Sequence, residues 1–205
     1  EADEIRKLAA VELGTRLYGL DASAVSERVR SHPWVREVDL DRIPTGLLQI
    51  EITERAPAGL VLNGAGRPAY YLDDWARAMP LDGEPVADLP TGRGLPPSIE
   101  DYDPRARTEL GTLLGTLAAR GSARPLVSAV RLGGPDGAVV EVGPDPSGRS
   151  VDVLLGRGSY SEKLTRLEAF WTQRVQGADR TFRRIDLRFD GQVVARQDPF
   201  SSTSR

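Results

Sequence analysis

A chain of 205 residues, 40% hydrophobic and 28% charged, has room for one large domain or two small ones, and its composition is that of a folded globular protein. With no Cys there is no disulfide, thiolate zinc site, iron–sulfur cluster or cysteine nucleophile, and a single His placed before Pro33 excludes an H-E-x-x-H metal helix. The net charge of −3 argues against a general nucleic-acid binder, and the longest apolar run, about four residues at 8–11, is far short of the roughly 20 that cross a bilayer.

The chain opens at Glu1-Ala2-Asp3 without Met or a signal-peptide pattern, which reads as a part of something longer. Ile5, Leu8, Ala9 and Glu12 recur at helical spacing up to Gly14, predicting a helix over residues 3–12. Asp21 is an N-cap for a second helix, with Leu20 placed to staple against Val25. Val25 and Val29 share a face of that helix, and His32-Pro33 ends it. Trp34 is expected as a core anchor between helix and sheet. The period then becomes two: Val38 and Leu40 alternate with Asp39 and Asp41, and residues 42–46 supply a turn. Leu48, Ile50 and Ile52 form the return strand, closed by Pro57. This is a compact α-α-β-β module, with residues 56–59 as a domain junction.

From residue 60 short apolar pieces alternate with Gly, Pro and Asp turns, and residues 83–101 read as a loop. Asp103-Pro104 caps an amphipathic helix carrying Leu110, Leu113, Leu114 and Leu117, ending at Arg120-Gly121. Strands are predicted at 126–132, 138–142 and 150–155, joined through Gly133-Gly134-Pro135-Asp136-Gly137 and a Gly-rich turn at 143–148. Ser159-Tyr160-Ser161-Glu162 has the form of a capping box opening a helix with Leu164, Leu167, Phe170, Trp171 and Val175 inward, ending at Gly177. Two last strands, Ile185/Leu187/Phe189 and Val193, Val194, Ala195 and Arg196, flank Asp190-Gly191, a hairpin signal. Pro199 argues against a further strand, so the last one is expected at a sheet edge, where it is either blunted or pairs with a partner.

Little in the chain points to catalysis. Gly64-Ala65-Gly66-Arg67-Pro68-Ala69 superficially fits a dinucleotide fingerprint, but it leads into a strand rather than the helix N-terminus that holds pyrophosphate, and reads as a turn. No G-x-x-x-x-G-K or G-x-S-x-G sequence is present, and His32 reads as a cap or packing residue. Asp39 with Asp41, and Asp73 with Asp74, are candidate carboxylate pairs, though solvated charge is their ordinary role.

The order of motifs resembles one family. Gly14, Leu17-Tyr18, Leu20-Asp21, Pro33-Trp34-Val35, Arg42-Ile43-Pro44 and Glu54-Arg55-Ala56-Pro57-Ala58 resemble the polypeptide-transport-associated (POTRA) module of the FtsQ/DivIB family of bacterial division proteins. Ile43 stands where that family usually has an aromatic. Leu155-Gly156-Arg157, Lys163-Leu164 with Leu167, and Ile185-Asp186-Leu187-Arg188 resemble the family's β-domain, so the likeness covers nearly the whole chain.

The resemblance implies an α+β fold. A small POTRA module would span residues 1–58, two helices on a short sheet without the family's first strand. A larger β-domain with a mixed or antiparallel sheet and two main helices would span 59–198, with a disordered tail at 199–205. It further implies a non-enzymatic divisome scaffold, held in the inner membrane by a single helix outside this chain, with this region periplasmic at the septum. Its partners would be FtsB and FtsL and, through them, FtsW and FtsI, with no cofactor, metal or nucleic acid. In the family the FtsB segment adds to the end of the β-domain sheet. Carried onto this chain, that surface is Arg188, Phe189, Gly191, Val193, Val194, Ala195 and Arg196, with Arg157 facing an acidic partner residue. Phe189 stands where some members have Tyr. Two other classes fit less of the chain: a POTRA-bearing chaperone of the outer-membrane assembly type, which ordinarily carries repeated modules or a barrel, and a glycan-acting enzyme using a carboxylate pair.

Overall fold

The computed structural model describes residues 2–82, 86, 88–121, 126–132, 136–145, 147–176 and 181–197. The chain divides into two compact units, Glu1–Ala56 and Pro57–Arg205, and the architecture is α+β.

The first unit runs α1 (Ala2–Ala9), a 3-10 turn (Leu17–Gly19), α2 (Ala22–Arg30), β1 (Val35–Ile43) and β2 (Leu47–Glu54). α1 places Asp3 and Glu4 in its first turn and Arg6 and Lys7 in its last, the arrangement that complements the helix dipole. It stops at Ala9 rather than reaching Glu12, because Ala10 turns left-handed at φ 48°. The Ala9 carbonyl freed at that end accepts from the Arg28 guanidinium at 2.7 Å. Asp21 caps α2 as expected, its carboxylate accepting from the Ala24 N–H at 3.1 Å. β1 and β2 pair antiparallel with Val38 opposite Ile52 and Leu40 opposite Ile50, so the period-two residues face one side. Against that side pack Val25 and Val29 of α2, fully buried, and Ile5, Leu8 and Leu20. Trp34 is half-buried at the entry to β1, where its carbonyl accepts from the Arg55 N–H at 2.8 Å.

Among the described residues the second unit carries nine strands and two main helices. They are β3 (Gly59–Leu62), β4 (Pro68–Leu72), β5 (Ala78–Met79), β6 (Thr91–Arg93), α3 (Pro104–Ala119), β7 (Val127–Arg131), β8 (Ala138–Val142), β9 (Val151–Gly156), α4 (Tyr160–Phe170), β10 (Phe182–Asp186) and β11 (Val194–Gln197). A single π turn, Trp171–Gln176, prolongs α4. The sheet order is β11-β10-β9-β8-β7-β6-β3-β4-β5. Most neighbours are antiparallel, but β3–β6, β6–β7 and β9–β10 are parallel; the connection of the first runs through β4 and β5, and those of the other two contain α3 and α4. A parallel pair cannot be closed by a tight turn, so each of these pairs needs a long crossover, which a helix supplies for β6–β7 and β9–β10 and the β4–β5 strands supply for β3–β6.

Leu110, Leu113, Leu114 and Leu117 of α3 and Leu164 and Leu167 of α4 meet Val140, Val142, Val151, Val153 and Leu155 in a common core. Of the residues between them, Leu154 is buried, while Glu141 and Asp152 form ion pairs, with Arg93 at 2.7 Å and with Arg131 at 3.1 Å. α3 lies close on the β4–β5 turn because Gly111 has no side chain there. A Cβ at that position would stand 2.8 Å from the Trp75 carbonyl carbon.

Two local expectations are corrected. Ser159 does not form a capping box. It sits at φ 49° after Gly158 at φ 61°, and its hydroxyl makes no capping bond, because this left-handed pair turns the chain sharply out of β9. The last two strands are not joined by a two-residue Asp-Gly turn. β10 ends at Asp186, whose carboxylate takes the Arg188 N–H at 3.0 Å and bends the chain away, leaving Phe189 and Asp190-Gly191 in a wider connection over residues 187–193. The Gly133-Gly134-Pro135 link, the helix end at Gly177 and the tail over 199–205 lie outside the described residues.

Candidate partner-binding edge

β11 closes one end of the nine-stranded sheet, and among the described residues no strand pairs with its outer side. Its inner side pairs antiparallel with β10, placing Arg196 opposite Arg184, Ala195 opposite Ile185 and Val194 opposite Asp186. Val193 and Ala195 pack against the core, whereas Val194 is 45% exposed and Arg196 lies open to solvent. Among the described residues no strand takes up its outer row of main-chain donors and acceptors, the feature that accepts an added strand. Arg184 and Arg196 oppose each other directly, an unfavourable like-charge pair that is relieved on one side by Asp136, 3.3 Å from Arg184.

The connection into β11 holds the next group. Arg188 is not a free cation. Its guanidinium spans Asp186 at 2.7 Å and Asp136 at 2.6 Å, and the Asp186 carboxyl is held below the usual carboxylate range chiefly by the Arg188 hydrogen bond. Phe189 is 53% exposed in the connection between β10 and β11, and Gly191 supplies the left-handed turn at φ 69° that brings the chain back. Arg157 follows β9 with its side chain 80% exposed and, among the described residues, a long contact of 3.9 Å to Glu109. The Arg188 stem covers Gly156 so closely that a Cβ there would stand 2.9 Å from Arg188 Cγ, and Gly156 itself is at φ 67°. The Gly of Leu155-Gly156-Arg157 is thus required twice over, by its own backbone and by the Arg that crosses it.

Residues 1–55 match the family described as the POTRA domain, FtsQ-type. A cell division protein FtsQ of Rhodothermus marinus is 40% identical over 205 residues, covering 98% of this chain and 75% of that protein. The corresponding protein of Salinibacter ruber is 38% identical over 202 residues, 96% of this chain and 78% of its own length. The chain belongs to the FtsQ family of cell-division proteins. A more distant member from Anaeromyxobacter is 33% identical over 178 residues, 80% of this chain and 55% of its own.

For this FtsQ-family chain, composition and spacing gave no reason to expect a buried lysine at the edge. Lys163 is 4% exposed, and its Nζ donates to the Arg157 carbonyl at 2.8 Å. Burial lowers its pKa, and the neighbouring Asp190 acts in the opposite direction. One turn away Tyr160 donates to the Glu109 carboxylate at 2.7 Å, and burial together with that bond pushes the phenol well above its ordinary value. The only sequence signal for either was its place in the Leu-Gly-Arg…Lys-Leu order.

Several of the residues weighed for catalysis make structural contacts. Asp73 is buried, and one carboxylate oxygen accepts from the Trp75 and Arg77 N–H groups at 2.9 and 2.8 Å, shaping the β4–β5 turn. Asp39 and Asp41 are exposed on β1. His32 Nδ1 accepts from the Trp34 N–H at 3.3 Å as the chain leaves α2. The Gly64–Gly66 segment is the β3–β4 turn, with Asn63 Oδ1 taking the Ala65 and Arg67 N–H groups at 2.9 and 3.0 Å. Among the described residues no group of three or more acidic or His side chains is placed to hold a metal, and no helix is long and apolar enough to cross a membrane.

Proposed function

We propose that this chain is the docking portion of a division scaffold and that it works by binding, not by turnover. A segment of an FtsB-type partner adds as a further strand to β11, and through FtsB and FtsL the scaffold helps to localise and regulate septal peptidoglycan synthesis by FtsW and FtsI. Residues 1–58 act as the POTRA domain and 59–198 as the β-domain. The whole protein is anchored in the inner membrane with this region on the periplasmic side.

The observation that carries the reading is the outer side of β11, which no strand among the described residues pairs with, together with exposed Phe189 and Val194. Main-chain bonds along the edge supply affinity, and side chains beside it supply specificity. Arg157 is the charge best placed for an acidic partner residue, since Arg188 is engaged by Asp186 and Asp136. Exposed charges of this kind chiefly raise the association rate. Val193 and Ala195 face the core and hold the strand in register.

The test is binding of the membrane-distal segment of the cognate FtsB-like protein to the wild-type chain and to Val194→Pro. Proline removes a ladder donor and disfavours strand pairing. With circular dichroism and melting unchanged, the variant is expected to lose binding. Unchanged binding moves the interface off β11, and no binding by the wild type refutes the docking reading.

A further inference from the structure

A hairpin with a two-residue turn fixes its register by the turn itself. The wider connection over 187–193 lacks that device, although a slip of one residue would carry Val193 and Ala195 off the core. Its own backbone bond, from the Gln192 N–H to the Phe189 carbonyl, is long at 3.3 Å. The missing constraint comes from α4. Arg166 Nη1 donates to the Phe189 carbonyl at 2.9 Å and to the Gln192 carbonyl at 3.1 Å, gripping the connection on both sides of the left-handed Gly191.

Arg166 does not act alone. Lys163, Arg166 and Phe170 are spaced i, i+3, i+7 and so share one face of α4. Lys163 holds the Arg157 carbonyl, Arg166 holds the connection, and the Phe170 ring lies 5.3 Å from that of Phe182 at the start of β10. One helix face thus touches each segment that borders the edge.

We propose that Arg166 is a positioning residue that sets the register of β11 and pre-organises the edge for its partner. The inference rests on the docking reading above for its functional meaning, but its structural part can be measured without any partner. Ordering the edge beforehand removes a cost that binding would otherwise bear.

Amide hydrogen exchange on the full chain is compared for wild type, Arg166→Met and Arg166→Lys, alongside binding of the FtsB-like segment. Methionine keeps the apolar stem and removes both donors, whereas the lysine ammonium can serve the same two carbonyls. In Arg166→Met, exchange over residues 187–197 is expected to quicken roughly tenfold with β7–β9 unchanged, and the segment to bind roughly tenfold more weakly, the factor that about 1.4 kcal/mol carries. Arg166→Lys is expected to recover most of the protection and most of the binding. Wild-type protection in Arg166→Met, or a loss spread evenly over β7–β9, overturns the proposal. If the wild-type chain fails to bind the segment, the docking reading falls, and the exchange data still decide whether Arg166 sets the strand.

Discussion

Gly111 offers the sharpest test of the packing described above, because helix propensity and tertiary structure predict opposite signs for its replacement by Ala. Gly111 lies in the interior of α3, where Ala is favoured over Gly by about 1 kcal/mol. A Cβ there, however, would meet the Trp75 carbonyl carbon at 2.8 Å, its oxygen at 2.9 Å and its Cα at 3.0 Å. These are backbone atoms of a turn tied down by Asp73, so they cannot swing aside as a side-chain end could. Overpacking of that kind costs typically 1–3 kcal/mol and more where backbone must move. Because backbone must move, the upper part of that range, about 2–3 kcal/mol, applies; less the propensity gain, Gly111→Ala is expected to destabilise the second unit by about 1–2 kcal/mol, a fall in Tm of roughly 2–8 °C for a chain of this size. Gly115→Ala, one turn on, is the control. Its Cβ would lie 3.1 Å from the Asp74 carbonyl oxygen and 3.7 Å from Asp74 Cβ, so a shift of a few tenths of an ångström offsets the propensity gain and the change stays within about 0.5 kcal/mol. Urea unfolding followed by tryptophan fluorescence in a Trp34→Phe background measures both, since the remaining reporters, Trp75 and Trp171, lie in the second unit. A stabilised Gly111→Ala, or equal effects at the two sites, would refute the close approach of α3 to the β4–β5 turn.

The titrating groups near the edge give two further expectations. The Tyr160 phenol is raised by burial and by its bond to Glu109, so the fold favours the protonated form. Its stabilisation is therefore complete below the unfolded value near 10 and is lost as pH climbs beyond it, at up to about 1.4 kcal/mol per pH unit. Tyr160→Phe should cost about 1 kcal/mol at pH 7 and flatten this alkaline fall in Tm, leaving the share of Tyr70 and Tyr102, which are also raised. An alkaline limb unchanged by the substitution would contradict the burial of that hydroxyl. Asp186 is shifted the other way by the Arg188 hydrogen bond, so its contribution is full above the unfolded carboxylate value of about 3.9 and disappears as pH falls through the lower folded value. Asp186→Asn should flatten the acid limb of the Tm profile below about pH 5. An acid limb as steep as the wild type's would place the acid sensitivity on other carboxylates.

The candidate edge was only partly legible from the residues. The place of β11 at the end of a sheet followed from its position after the last turn and from Pro199. That Arg188 is spent on Asp186 and Asp136 did not, because Asp136 lies far back in the chain and meets Arg188 only through the fold. Phe189 was read as a strand residue by alternation with Ile185 and Leu187. The Asp186 side chain overrides that alternation by taking the Arg188 N–H, a local contact that period counting ignores. The Ser159 capping box failed for a similar reason: the motif was present, but the left-handed backbone imposed by leaving β9 turned the hydroxyl away from the helix.

Periodicity and end chemistry were enough to locate α2, α3, the α4 stripe, both strands of the small hairpin and the Asp21 and Asp103 caps, since each depends on hydrogen bonds and apolar faces within a few residues of chain. They could not order nine strands, identify which pairs run parallel, or foresee a lysine buried under a carbonyl. Those outcomes depend on groups far apart in sequence. Lys163 is tolerated inside because the Arg157 carbonyl waits for it, and Gly111 and Gly156 matter because distant atoms lie where a Cβ would go. Burial of a polar group, and the space left beside a glycine, belong to the assembled fold, where desolvation and steric exclusion act between segments that the chain order keeps apart.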